Sequence, residues 1–182
     1  GWERLNMNDG LQTVRWGIMG TARIATRVSR AIHAVEGAEA SVIASRSGER
    51  ADSWGSEHDI PRSLEGYQAL LDDETLDAIY IPLPPSMHHE GTIKAAELGK
   101  HVLCEKPMSR NLKEAKLMVD AASRNDVLLT IGFMKRFNPG FCKIKEIIDR
   151  GLIGRVYHID VHWNLFFPPG THESQTFSED ER

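Results

Sequence analysis

Small residues follow the first apolar run of the chain at a spacing that suits phosphate binding. In GIMGTARIA, residues 17–25, Gly20, Ala22 and Ala25 occupy the positions of a G-x-G-x-x-G/A pattern. The first position allows a tight turn, the second lets backbone N–H groups approach a pyrophosphate, and the third lets a helix pack closely on a strand. The methyl group of Ala22 departs from the ideal, so an ordinary tight turn is the alternative. The residues predicted to contact the phosphate are Gly20, Thr21, Ala22, Arg23 and Ile24.

The tip of the second predicted strand distinguishes between two nicotinamide cofactors. An NAD site expects Asp or Glu there, to accept hydrogen bonds from the ribose hydroxyls. Here the strand ends in Ser45 and Arg46, with no acid at the tip. A guanidinium suits a 2′-phosphate because it donates charge-assisted hydrogen bonds to phosphate oxygens. The sequence therefore predicts that NADP(H) is preferred over NAD(H), the alternative being a surface arginine in a polar loop.

Two further groups of residues follow predicted strands. Pro84 comes after one strand, and Glu105, Lys106 and Pro107 come directly after the next. Ligands of open α/β sheets bind outside the carboxyl ends of the strands, so these residues should face the same crevice as Gly20. Lys106 beside a nicotinamide could polarise a carbonyl or stabilise a developing alkoxide, which makes it the catalytic candidate. The alternative is a lysine in a surface ion pair. The Lys106–Pro107 bond is a candidate for the cis form.

The histidines do not show metal-ligand spacing. His89-Glu90 is not followed by the second histidine of an H-E-x-x-H helix, because Ile93 stands at that position. His158, Asp160 and His162 share one face of a predicted strand, where a solvated or interface role is the simpler interpretation. We predict no metal site, and no G-x-S-x-G nucleophile motif is present.

The positioning elements alternate between short apolar runs and longer amphipathic ones, as in βαβ units with a parallel sheet. Asn111 with Glu114 is a helix start signal, and Gly99 is a helix end signal. This pattern predicts an α/β fold with a Rossmann-type doubly wound parallel sheet. Predicted strands are 14–19, 40–44, 78–81, 101–104 and 127–131, and predicted helices are 24–35, 49–58, 64–71, 90–98 and 112–125.

The pattern changes after residue 133. A helix is predicted over 139–150, and residues 155–164 then alternate strictly between apolar and polar side chains, as in a half-buried strand of a different sheet. Residues 165–182 are polar, contain two adjacent prolines and show no periodicity, which predicts a loop or a disordered tail. The domain prediction is therefore a nucleotide-binding domain over 12–133, the beginning of an α+β domain over 134–164, and a tail over 165–182.

Composition excludes several classes of function. The 182 residues carry 22 Lys plus Arg against 26 Asp plus Glu, a net charge of -4, so no nucleic-acid partner is expected. No apolar run reaches the roughly 18 residues that span a bilayer, and the N-terminus lacks the apolar region of a secretory signal. Cys104 and Cys142 are far apart and have no metal-ligand spacing. These features predict a cytoplasmic protein with no membrane partner.

Five segments together resemble one known family. VRWGIMGTARIA, IASRS, IYIPLPPSMHHE, HVLCEKPMS and GFMKRF are similar, in order and register, to motifs of the glucose-fructose oxidoreductase, inositol dehydrogenase and MocA (Gfo/Idh/MocA) family. The resemblance covers about residues 13 to 164, and the EKP tripeptide is its most specific part. It implies an NAD(P)-dependent oxidoreductase acting on a sugar, cyclitol or related polyol. It also implies a Rossmann domain followed by a domain built on a large open antiparallel sheet.

The resemblance also implies roles for individual residues. The lysine of EKP, here Lys106, is catalytic in that family, and the bond to Pro107 is usually cis. Pro84 and His88 correspond to a segment that contacts the nicotinamide ribose, and Arg136 would lie near cofactor or substrate. The cofactor-site residues expected after the phosphate-binding turn are Ser45, Arg46, Pro84, His88, Glu105, Lys106, Pro107 and Arg136.

One family feature is absent from the sequence. The family places a D-x-x-x-H pair in its second domain to complete substrate binding and proton transfer, whereas His172 has no Asp four residues earlier. The first hypothesis is therefore an oxidoreductase that binds its cofactor but is catalytically incomplete as this chain. The second is a non-catalytic dinucleotide-binding module, acting as a sensor or as a subunit completed by a partner. A homo-oligomer contact or another partner is expected to cover the 155–164 strand, since a lone amphipathic strand does not stabilise itself.

Overall fold

Six parallel strands form one sheet in the computed structural model, which describes residues 13–162. The strand order across the sheet is β3-β2-β1-β4-β5-β6, and all five neighbouring pairs are parallel. The order reverses between β1 and β4, which creates a crevice at the carboxyl ends of the strands. The strands are β1 (Val14–Met19), β2 (Ala38–Ser45), β3 (Arg62–Glu65), β4 (Ala78–Ile81), β5 (His101–Cys104) and β6 (Leu129–Ile131).

The first five helices connect successive strands, and two further helical segments follow the last strand. A 3₁₀ turn, Met134–Phe137, precedes the last helix, and the chain divides into two compact units between Gly132 and Phe133. No helix within residues 13–162 has the length and apolar character needed to cross a membrane. The helices are α1 (Ala25–His33), α2 (Gly48–Glu57), α3 (Tyr67–Leu71), α4 (Pro85–Glu97), α5 (Leu112–Arg124) and α6 (Pro139–Asp149).

The apolar strands form a core on both faces of the sheet. Successive side chains of a strand point to opposite faces, so Ile18 belongs to one hydrophobic cluster and Met19 to the other. The same separation occurs in β4, where Tyr80 lies in one cluster and Ile79 and Ile81 lie in the other. All four β4 side chains are buried, as expected for a central parallel strand covered by helices on both faces. The predicted doubly wound parallel sheet is confirmed.

The prediction of a single helix over residues 64–71 is wrong. Residues Arg62–Glu65 form β3, which pairs with β2 at the edge of the sheet, and only Tyr67–Leu71 is helical. Gly66 lies between them with a φ of 85°, a conformation that ends a strand and favours glycine. The edge position explains the misassignment, because the side chains of β3 are exposed or half-buried and lack the apolar run of the central strands.

The predicted helix signals at α4 and α5 are present. The Glu114 N–H donates to the Asn111 Oδ1 atom at 3.0 Å, and Gly99 has a φ of 72° just after α4. Helix α4 begins at Pro85, five residues before the predicted start at 90, because proline at the first helical position needs no hydrogen-bond acceptor. Strand β6 begins at Leu129 rather than at residue 127.

The predicted strand over residues 155–164 is not present in its described part. Residues 155–162 have no regular secondary structure, and their side chains are almost all exposed. A strand requires a neighbour for its backbone N–H and C=O groups, and no strand of residues 13–162 pairs with this segment. Residues 163–182, which include the predicted tail over 165–182, lie outside the described residues.

Candidate cofactor site

The phosphate-binding turn requires glycine at position 20 for two independent reasons. Gly20 has a φ of 107°, which side-chain-bearing residues rarely adopt. A Cβ atom there would lie 2.8 Å from Leu83 Cδ2, so a methyl group would force the end of the Leu83 side chain to move. The Gly20 N–H donates to the Ala44 carbonyl at 2.8 Å, which joins the turn to the end of β2. The first small position of the sequence pattern is therefore a steric requirement of this fold.

Helix α1 starts without a side-chain cap. Its N-cap residue is Ile24, whose side chain has no hydrogen-bond acceptor, and its first turn contains no acidic residue. The N–H groups at a helix start carry a partial positive charge and need acceptors. Because the side chains supply none, this helix start can accept an anionic ligand such as a phosphate group.

The tip of β2 places two guanidinium groups beside this turn. Arg46 and Arg50 are both exposed, and neither forms an ion pair with a carboxylate of residues 13–162. Arg50 reaches the site because Ser47 caps α2, its hydroxyl oxygen accepting the Arg50 N–H at 3.3 Å. Ser45 is buried, and its hydroxyl oxygen lies 3.5 Å from the Ser47 N–H donor. Two cations with no acidic partner make this end of the site anion-selective.

A cavity of about 310 Å³ brings these groups together. It is formed by the segments that follow β1, β2 and β4, together with the start of α3, at the predicted edge of the sheet. Six of the predicted residues line it, while Arg23 and Ile24 continue the turn outside its lining. The lining consists of Gly20, Thr21, Ala22, Ser45, Arg46, Ser47, Arg50, Tyr67, Pro82, Leu83 and Pro84.

The Glu105-Lys106-Pro107 segment, here called the EKP turn, follows β5 next to β4 and does not line the cavity. Lys106 is exposed, and its ammonium group forms no ion pair with the carboxylates of residues 13–162. Glu105 is buried and instead accepts a hydrogen bond from the backbone N–H of Lys106, at 3.2 Å from Oε2. The Lys106–Pro107 bond is cis. The Lys106 side chain is thus an unpaired cation at the carboxyl edge of the sheet.

The ring of His88 connects the EKP turn to the segment after β4. His88 is fully buried in α4, with Nδ1 at 2.8 Å from the Pro107 carbonyl oxygen and Nε2 at 2.6 Å from the Leu83 carbonyl oxygen. Both ring nitrogens are thus occupied by backbone groups. Pro84, which lines the cavity, directly follows Leu83. The His88 ring therefore joins the segment of Pro84 to the EKP turn, the two segments on which the expected nicotinamide contacts lie.

Arg136 lies in the second compact unit, in the 3₁₀ turn, and its side chain is exposed. No group of three or more His, Cys, Asp or Glu side chains that could hold a metal ion occurs within residues 13–162. His162 Nε2 and Asp160 Oδ1 lie 3.1 Å apart on the exposed segment at the end of this range.

Arg50 and Tyr67 line the cavity and are not among the site residues predicted from the sequence. Arg50 lies inside helix α2, whose residues were not predicted to be phosphate ligands. A usable signal was its position three residues after the helix-capping Ser47, in the first turn after the tip of β2. Tyr67 begins α3, and its hydroxyl oxygen would lie 3.7 Å from a Cβ atom at Gly20. That contact depends on β3, which sequence patterning did not detect.

The parallel sheet of order 3-2-1-4-5-6, with a glycine turn after β1 and a cavity at the strand ends, defines the class of nucleotide-binding Rossmann domains. Residues 14–133 match the model of the Gfo/Idh/MocA oxidoreductase family, described as having an NAD-binding Rossmann fold. The chain belongs to the Gfo/Idh/MocA oxidoreductase family.

Curated relatives and solved structures agree with this assignment. The D-xylose 1-dehydrogenase (NADP(+)) 2 of Haloferax volcanii is 38% identical over 156 residues, which cover 85% of this chain and 47% of that protein. The scyllo-inositol 2-dehydrogenase (NADP(+)) IolU of Bacillus subtilis is 33% identical, with 75% and 42% covered. The crystal structure of KijD10, a 3-ketoreductase from Actinomadura kijaniata in complex with TDP-benzene and NADP, superposes with a TM-score of 0.72 at 35% identity, with 79% and 45% covered.

The chain spans about half the length of the relatives it matches. The family match over residues 14–133 contains all six strands of the sheet. The Rossmann fold and membership of an NAD-binding family therefore rest on this chain's own residues.

Proposed function

We propose that the chain is the cofactor-binding part of an NADP(H)-dependent oxidoreductase that acts on a sugar, a cyclitol or a related polyol or carbonyl compound. The observation that carries the cofactor preference is the pair Arg46 and Arg50, which line the same cavity as the Gly20 turn and have no acidic partner among the described residues. The substrate class is supported by the names of relatives that act on D-xylose and scyllo-inositol.

The residues present fit a dinucleotide phosphate. At Gly20 the backbone reaches a position that a Cβ atom would block, and the adjoining start of α1 has no side-chain acceptor. When bound, the nicotinamide supplies hydride chemistry at its C4 atom. Within this arrangement the Gly20 turn would bind the pyrophosphate, and Ser45 with the two arginines would bind the 2′-phosphate.

Cofactor affinity tests this assignment directly. We expect the parent chain to bind NADPH more tightly than NADH. Hydrogen bonds to a charged group contribute about 1.5–3 kcal/mol, so Arg46→Ala should weaken NADPH binding about 10- to 100-fold and leave NADH binding unchanged. Arg50→Ala should have the same selective effect. Arg30→Ala removes an exposed arginine of α1 that does not line the cavity and serves as the matched control. Equal affinities for the two cofactors in the parent would refute the preference.

The proposed catalytic group is the Lys106 ammonium. An unpaired cation can polarise a substrate carbonyl or stabilise a developing alkoxide, and no carboxylate of residues 13–162 pairs with Lys106. We assign Pro84 to the nicotinamide ribose, Arg136 to the cofactor or substrate, and His88 to holding the two segments at that ribose. Cytoplasmic location and a partner for the second unit remain predictions from the sequence.

Turnover distinguishes an enzyme from a binding module. The alternative, a non-catalytic dinucleotide-binding module, would share the cofactor site and would differ from the enzyme in showing no turnover. Steady oxidation of a sugar or cyclitol with NADP⁺ that disappears in Lys106→Ala, while NADPH-dependent stabilisation remains, would identify the enzyme. NADPH binding without turnover across a panel of such substrates would identify the module.

A further inference from the structure

The EKP turn is built over a buried carboxylate. Glu105 directly precedes Lys106 and is only 7% exposed. None of the ion pairs formed by residues 13–162 includes it. A buried carboxylate without a cation is costly unless hydrogen-bond donors satisfy its oxygens. The donors that surround Glu105 therefore decide where its carboxylate sits.

Each carboxylate oxygen of Glu105 has one donor. The Tyr80 hydroxyl donates to Oε1 at 2.9 Å, and the backbone N–H of Lys106 lies 3.2 Å from Oε2. Tyr80 is fully buried in β4, the strand next to β5. Burial, and then the charge of Glu105, raise the pKa of the Tyr80 hydroxyl above its ordinary value, so that this hydroxyl stays protonated and able to donate.

Gly132 provides the space for the same carboxylate. A Cβ atom at this position would lie 3.0 Å from Oε1 and 3.3 Å from Oε2 of Glu105. The Gly132 N–H donates to the Cys104 carbonyl at 2.8 Å, which fixes the glycine against the end of β5. Its φ lies outside the left-handed region, so the absence of a side chain, rather than backbone freedom, explains the glycine.

We infer that Tyr80 and Gly132 are positioning residues for Lys106. Between them they hold the Glu105 carboxylate where it binds the main chain of Lys106 and fixes the EKP turn. The inference rests on the proposed function in taking Lys106 as the group that acts at the nicotinamide.

The hydrogen bond to Glu105 restrains the backbone of Lys106. The lysine side chain is long and exposed, and no ion pair within residues 13–162 holds it, so the restraint acts on its backbone. A reacting group must be kept close to its productive geometry by supporting hydrogen bonds. Tyr80 lies on β4 and Gly132 follows β6, so the turn after β5 is supported by the strands on both of its sides.

Amide hydrogen exchange in the cofactor-free chain tests the inference without depending on cofactor binding. In Tyr80→Phe the Glu105 carboxylate loses one donor, and exchange at the Lys106 amide should accelerate about tenfold or more. The Gly132 and Val102 amides, which bond within the sheet, should keep their rates. Tyr157→Phe, at an 85% exposed tyrosine, is the control. An unchanged Lys106 amide, or equal acceleration across the sheet, would overturn the inference.

Two other variants keep the test decisive if Tyr80→Phe does not fold. Gly132→Ala retains the Tyr80 hydroxyl but crowds the carboxylate, and Glu105→Gln replaces one acceptor oxygen by an NH₂ group. Both should accelerate exchange at the Lys106 amide. Because the two contacts act in series, Tyr80→Phe combined with Glu105→Gln should accelerate exchange no more than the stronger single change. Additive effects would contradict the series arrangement.

Binding of two ligands separates positioning from general destabilisation. NADPH carries the nicotinamide, whereas adenosine 2′,5′-bisphosphate carries only the half expected at Arg46. Tyr80→Phe should weaken NADPH binding about three- to tenfold and leave binding of the bisphosphate unchanged. Equal weakening of both ligands would overturn the inference. If the parent chain binds neither ligand, the proposed function fails, and the amide exchange alone still decides whether Tyr80 holds the EKP turn.

Discussion

Replacement of Gly20 by alanine should damage both stability and cofactor binding, for reasons that can be separated. The φ of 107° lies where an L-residue is strained, at a cost of about 1–2 kcal/mol. The new methyl group would also lie 2.8 Å from Leu83 Cδ2, and such overpacking costs a further 1–3 kcal/mol or so. Together these effects amount to about 2–5 kcal/mol. For a chain of this size the Tm should fall by at least about 4 °C.

Gly99→Ala is the matched control for the backbone contribution. Gly99 has a φ of 72°, but a Cβ atom there would meet nothing within 4 Å. Its replacement should therefore cost only the strain of about 1–2 kcal/mol. Thermal melting of the two variants beside the parent gives the difference between them, which measures the contact with Leu83.

The same melting experiment with NADPH tests the site. A ligand at about 100 times its Kd stabilises the folded state by about 2.7 kcal/mol, which the parent and Gly99→Ala should both show. Gly20→Ala should lose this stabilisation, because the methyl group displaces Leu83, a residue that lines the cavity. If Gly20→Ala melts like Gly99→Ala and is stabilised equally by NADPH, the steric role of Gly20 is refuted.

Two further predictions concern stability alone. The pKa of Asp77 is lowered because hydrogen bonds from the Arg15 main chain (2.8 Å) and guanidinium (3.2 Å) outweigh burial, which acts in the opposite direction. A lowered pKa stabilises the fold above the unfolded-state value of about 3.9, and this contribution is lost as the pH falls through the folded-state pKa. The urea midpoint of Asp77→Asn should therefore fall less steeply below about pH 4 than that of the parent. Asp52→Asn, at an exposed carboxylate of α2, should keep the parent's slope. Asn111→Ala removes the cap of α5 and should cost about 1 kcal/mol in urea unfolding, whereas the exposed Lys113→Ala should change little; equal midpoints for these two variants would contradict the capping role.

The central part of the fold was predictable because its signals are local. Strands β1, β4 and β5 have the predicted bounds, since each is a short apolar run between a turn and a helix. The edge strand β3 was missed because it is half exposed and its identity depends on pairing with β2. For residues 155–162 a strand was predicted and none is present. Strict alternation of apolar and polar residues is typical of a half-buried strand, but it does not supply a neighbouring strand to pair with.

The candidate site divides in the same way. The glycine turn and the strand tip were predictable because each is one short segment with one chemical requirement, and the structure brings Gly20 and Arg46 to one cavity. Arg50 and Tyr67 needed the three-dimensional path of α2 and α3. In the sequence Gly132 appears only as the first residue of the GFMKRF motif. The role inferred for it could not be predicted, because that role depends on the Glu105 carboxylate, which follows a different strand.

The distribution of these residues bears on how the site could change its chemistry. Arg46 and the Gly20 turn, which are expected to touch the cofactor, lie just after strands, where substitutions alter charge and shape without disturbing the sheet. Tyr80, which holds the EKP turn, lies inside β4 and belongs to the hydrophobic core. A substitution at Arg46 should therefore change cofactor preference and leave Lys106 in place. A substitution at Tyr80 should do the reverse, disturbing Lys106 while the phosphate end of the site keeps its affinity.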